Sequence, residues 1–165
     1  LASMDADGSN YNTAVGYNAG GAMTTGVQNT LIGGLAGDDL QTGDNNVALG
    51  YNTLTSANTN ESGNIAIGAN ALNSLDNGVT AYTYNVAVGH NAGGDMTTGT
   101  NNTLIGGLAG DALTTGKENT AVGKGALGAA IIIDRNVAVG DGALEALVGD
   151  GSTAGQDTNN TAVGF

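Results

Sequence analysis

"NTAVG" at 12–16 is the stretch on which the fold turns, because its pattern comes back eight more times. The pentad Asn–(Thr/Val/Ile)–(Ala/Leu)–(Val/Ile/Leu)–Gly starts at Asn12, Asn29, Asn46, Asn64, Asn85, Asn102, Asn119, Asn136 and Asn160. The spacings between successive starts are 17, 17, 18, 21, 17, 17, 17 and 24. The base period is therefore 17, with insertions at 73–84 and 145–159 and a lead-in over 1–11. Ten residues, "NTLIGGLAGD", even recur verbatim at 29–38 and 102–111. Two variable residues after each pentad come Ala and then Gly or Leu, as at Ala19-Gly20, Ala71-Leu72 and Ala126-Leu127; Thr53-Leu54 departs. A Met or Leu usually follows three residues later, and Thr-Gly closes several copies.

A 17-residue unit is too short for a helical hairpin, which needs 30 or more residues. The pentad reads as a short strand: β-branched residues recur at its second and fourth places, between Asn and Gly. Stacked units of this kind make a parallel β-solenoid in which each coil touches only its neighbours. The whole chain, 1–165, is one repeat domain of about nine coils. At strand spacing it forms a rod about 43 Å long.

Side chains alternate along a strand. Both faces of this one are apolar, the pattern of burial on both sides. The expectation is that the Val/Ile face fills the coil's interior and the small Ala/Gly face meets identical chains around a shared axis. That makes a homo-oligomer, with a trimer the natural closed form for a fibre and end-to-end stacking a further possibility. The nine pentad Asn are expected to stack as a ladder of amides, a device known to support stacked β structure.

Composition excludes several functions. Three Lys/Arg stand against fifteen Asp/Glu, for a net charge of −12. Phosphate neutralisation by Lys and Arg supplies most nucleic-acid affinity, so no nucleic-acid partner is expected. No apolar run approaches the length of a membrane span, so no insertion of this segment is expected. Without Cys there is neither a disulfide nor a thiolate metal site.

The copies "NVAVG", "NIAIG" and "NTAVG", each followed two residues later by Ala, resemble the head repeats of trimeric autotransporter adhesins of the YadA-like type. They are similar, equally, to the "NTAVGYNAG…TTG" arrays in phage tail fibres. The resemblance runs from Asn12 to Gly164 and implies a left-handed parallel β-roll, a homotrimer and an extracellular place on a cell surface or virion. It implies a non-enzymatic fibre segment for surface display or host attachment, with a surface glycan or receptor as partner. The 17-residue period exceeds the roughly 14 residues usual in adhesin heads.

Candidate chemistry is sparse. His90 is the only histidine and shares its place with Tyr17, Gly34, Tyr51, Ala69, Gly107, Lys124 and Asp141, which marks an exposed turn. "VGYNAG" and "VGHNAG" fit the hexapeptide of left-handed β-helix acyltransferases, but such a helix needs three hexapeptides per coil and each coil here offers one. "DADGSN" at 5–10 spaces Asp5, Asp7 and Ser9 like the start of a calcium loop without its closing Glu. Calcium is thus the one cofactor the sequence could suggest. Thr pairs at 24–25, 97–98 and 114–115 raise an ice-binding alternative, broken by the intervening coils. The insertions are the better binding candidates, since solenoid insertions map to exposed loops. Tyr82 and Tyr84, with Asp76 and Asn77 nearby, combine aromatic faces and polar groups in the way a sugar site requires.

Overall fold

The computed structural model describes residues 10–56, 60–76, 78, 81–147 and 158–165. Among them the chain is all β. Nine three-residue strands are the pentads: β1 (Thr13–Val15), β2 (Thr30–Ile32), β3 (Val47–Leu49), β5 (Ile65–Ile67), β7 (Val86–Val88), β8 (Thr103–Ile105), β9 (Thr120–Val122), β10 (Val137–Val139) and β11 (Thr161–Val163). They form one parallel sheet in chain order, a β-solenoid whose coils follow the period of the sequence. β4 (Glu61–Ser62) and β6 (Ala81–Tyr82) add a two-stranded parallel ribbon beside the first insertion. The register pairs like with like: Thr13 with Thr30, Ala48 with Ala66, Val139 with Val163.

The faces of the strand are the reverse of the sequence expectation. The third-place residues Leu31, Ala48, Ala66, Ala87, Leu104, Ala121 and Ala138 are fully buried inside the coil. The second- and fourth-place residues point outward, and none of them is buried. The reason is space. A coil this slender leaves room for one leucine, supplied either by the strand or by the opposite wall, with a small residue facing it.

Those two positions compensate in volume. Where the third place is Ala48, Ala66, Ala121 or Ala138, the residue six further on is Leu54, Leu72, Leu127 or Leu144. Where it is Leu31 or Leu104, that residue is Gly37 or Gly110. A Cβ on Gly110 would sit 2.9 Å from Leu104 Cδ2, and one on Gly37 3.0 Å from Leu31 Cδ2. Two coils have neither leucine, holding Ala14 with Gly20 and Ala87 with Gly93. In the second of them a Cβ on Gly93 would lie 2.9 Å from both Leu72 and Leu104, so the adjoining rungs fill its space. Met23, Leu40, Leu75, Met96 and Leu113 complete the buried column.

The pentad glycines are fixed by backbone geometry. All nine have φ between 125° and 140°, a region costly to any residue with a Cβ. In the inner coils a Cβ there would also overlap the glycine carbonyl of the next rung.

Candidate functional site

The pentad asparagines lie inside the coil, on the same face as the third-place residue. Seven of them, Asn29 to Asn136, are buried. Burying an amide is tolerable only if its donors and acceptor are satisfied. Here each Oδ1 accepts the backbone N–H of the next pentad Asn, from 2.7 Å at Asn12–Asn29 to 3.0 Å at Asn136–Asn160. Most Nδ2 groups also donate to the Oδ1 of the preceding rung, as Asn119 does to Asn102 at 3.1 Å. They reach the other way too: Asn102 Nδ2 donates to the Gly116 carbonyl at 2.8 Å. At the first insertion the Thr83 hydroxyl donates to Asn64 Oδ1 at 2.8 Å, beside the Asn85 backbone N–H at 2.9 Å.

The outer strand face is a regular surface along the rod. It carries two ranks of nine residues, running Thr13 to Thr161 and Val15 to Val163. All eighteen are Thr, Val, Ile or Leu; the fourth-place rank is aliphatic without exception. No charge stands on this face, although the chain carries eighteen Lys, Arg, Asp and Glu. Like-to-like register keeps the ranks straight. With rungs about 4.8 Å apart and ranks about 7 Å apart, each residue occupies about 34 Å² and the strip covers about 600 Å². A typical monomer leaves about 300–600 Å² in its largest patch, and such patches are often functional.

Tyr82 and Tyr84 are brought together, with ring centroids 5.3 Å apart and planes at 16°. The pair lies against Gly63, where a Cβ would come within 3.0 Å of the Tyr84 ring. Each ring therefore spends one face on its partner, and both cover a glycine. Asp76 Oδ1 accepts the Gly78 backbone N–H at 3.1 Å in a local turn. Asn77 lies outside the described residues, as do Asp5, Asp7 and Ser9 and most of the insertion at 145–159.

The first threonine of each pair is tied to the next rung. Thr24, Thr97 and Thr114 donate their hydroxyls to the carbonyls of Gln41, Thr114 and Ile131 on the next rung, at 3.1–3.2 Å. His90 is exposed, and its carbonyl accepts the Leu108 N–H at 2.9 Å. Among the described residues, no group of three or more His, Cys, Asp or Glu is placed to hold a metal ion. No helix among them is long and apolar enough to cross a membrane.

Among the described residues, Asp38 and Asp111 are the two perturbed acids. Burial raises the carboxyl pKa of both above 3.8, and the neighbouring Asp39 adds to it at Asp38. At Asp111 the charges of Asp95 and Glu145 push the same way, against backbone hydrogen bonds that lower it. Both sit on one edge of the rod, far in the repeat from the strand face.

Comparison of the chain with protein-family models, with curated proteins and with solved structures finds no match. The strand face was missed in the sequence because apolarity alone cannot tell a shared interior from an outer seam. The signal that could have found it is the size exchange between the third-place residue and the residue six further on. Two positions that trade a leucine must share one space.

Proposed function

We propose that the chain is a non-enzymatic fibre segment that assembles with copies of itself along the outer strand face. It serves display or attachment at an extracellular surface, of a cell or a virion. The observation that carries this reading is the uncharged face of eighteen Thr, Val, Ile and Leu residues on a chain of net charge −12. Two such chains repel over most of their surface, and this strip is where they can meet without placing charge against charge. A strip of about 600 Å² approaches the 800 Å² or so per partner of a standard stable interface. Three copies around one axis would enclose the aliphatic rank and leave the insertions and edges free for a ligand.

Sedimentation at micromolar concentration tests this. The unmodified chain should run as a discrete oligomer, expected to be a trimer. The variant Ile67→Lys/Ile105→Lys, which places charges on the face and leaves the interior untouched, should run as a folded single chain. A stable, folded monomer of the unmodified protein would end the proposal. The same flat two-rank face is what an ice-binding reading would use. An ice-shaping assay on the protein distinguishes that reading.

A further inference from the structure

The rod has a second periodic surface, one residue past each pentad glycine. Tyr17, Gly34, Tyr51, Ala69, His90 and Gly107 stand there on successive rungs. The row is straight, because each carbonyl accepts an N–H from the rung above. Leu35 bonds Tyr17 at 2.8 Å, Asn52 bonds Gly34 at 3.0 Å and Asn70 bonds Tyr51 at 3.0 Å. Large, flat side chains thus alternate with small residues, and the step between them is two rungs, about 10 Å.

The rings are open. Tyr17 is 83% exposed and Tyr51 61%. Tyr51 leans beside Gly34, whose absent Cβ would lie 3.5 Å from its Cδ2, so a shelf is left between the two tyrosines. Each ring is followed by an asparagine in the left-handed region: Asn18 (φ 55°), Asn52 (φ 57°) and Asn91 (φ 56°). Asn52 Nδ2 donates to Asn70 Oδ1 at 3.0 Å, which ties one amide to the next rung. The edge therefore repeats a ring with an adjoining amide on every second rung. No Lys, Arg, Asp or Glu interrupts the row from Tyr17 to Gly107.

We infer that this edge binds an extended β-1,4-linked polysaccharide chain lying along the rod. The inference rests on the attachment reading above and names its ligand class. Such a chain is a straight ribbon in which every second sugar turns the same face the same way. Its repeat is on the scale of the two-rung step. Its apolar ring faces suit Tyr17 and Tyr51, and its hydroxyls suit the amides; His90 continues the track. The ligand is neutral, because a chain of net charge −12 repels acidic polymers.

Calorimetric titration of the assembled protein with cellohexaose, chitohexaose and maltohexaose tests it. At least one of the two β-1,4-linked hexasaccharides should bind, and the α-linked, helically curved maltohexaose should not. Each ring lost should weaken binding by about ten-fold, so Tyr17→Ala/Tyr51→Ala should weaken it by about a hundred-fold. Gly34→Tyr, which fills the shelf, should also weaken it, whereas Tyr82→Ala/Tyr84→Ala should bind like the parent. Absence of binding to both β-linked sugars, equal binding of maltohexaose, or undiminished binding by the Tyr17/Tyr51 double variant would overturn the inference. Sedimentation of the same samples keeps the two readings apart: an intact oligomer that ignores these sugars sinks this inference alone.

Discussion

Replacing Leu104 by Ala should cost about 3 kcal/mol, because a fully buried leucine leaves a cavity that hydrogen-bonded rungs on both sides cannot close. Replacing Gly110 by Leu should also destabilise, by about 1–3 kcal/mol for overpacking. Its Cβ would start 2.9 Å from Leu104 Cδ2. Leucine in place of glycine in the left-handed region adds about 1–2 kcal/mol. Combined, the two changes recreate the next coil, where Ala121 faces Leu127 at φ 55°. Only the backbone cost should then remain, so the double variant should be more stable than either single one. The coupling should be favourable by about 4–6 kcal/mol, the cavity and overpacking costs together, which is beyond the usual range for residues in contact. Urea titration followed by circular dichroism measures it, with slopes compared across variants because a repeat stack can lose two-state behaviour. Hydrogen exchange at the rungs of Asn85, Asn102 and Asn119 locates the effect. Simple additivity of the two costs would show that positions 104 and 110 do not share one space, and the interior account would fail.

Asn102→Ala should cost about 4 kcal/mol, since it strands the buried Asn119 N–H and Gly116 carbonyl. Asn12→Ala, at a half-buried rung, should cost about 1 kcal/mol by the same denaturation assay. Gly106→Ala should cost at least about 2–3 kcal/mol for its φ of 135° alone, whereas Gly34→Ala, with an ordinary φ and only a van der Waals contact to the Tyr51 ring, should stay within about 0.5 kcal/mol. Asp111 binds its proton more readily folded than unfolded, so stability should rise as pH falls through the raised folded value. The gain should be complete below the ordinary 3.8. Asp111→Asn should raise the pH 7 melting temperature and flatten that dependence.

Much of this architecture was legible in the residues. The repeat period, the strand at each pentad and the places of Asn and Gly all follow from recurrence, because stacking repeats one local geometry nine times. The orientation of the strand was not legible from hydropathy, since Ala138 and Val139 are both apolar and only their volumes differ. Interior width decides between them, and width belongs to the closed coil. Tyr82 and Tyr84 stand out in sequence as an aromatic pair in an insertion; that they stack on each other over Gly63, with both side chains still about half exposed, is visible only in the fold. Tyr17 and Tyr51 share one place in the repeat and so were legible as two copies apart; the rung geometry adds that they stand on one straight edge.

Register partners throughout the main sheet are separated by a single coil of chain, from Thr13 with Thr30 to Val137 with Thr161. Relative to the full length that is a contact order of about 0.1, a value at home among helical bundles and well below β-sandwiches. The main sheet therefore closes only short loops, however many coils are added. Each new length of polypeptide can zip onto the previous one as it leaves the ribosome, with no distant partner to wait for. A β protein built this way is free to grow in length without slowing its own folding.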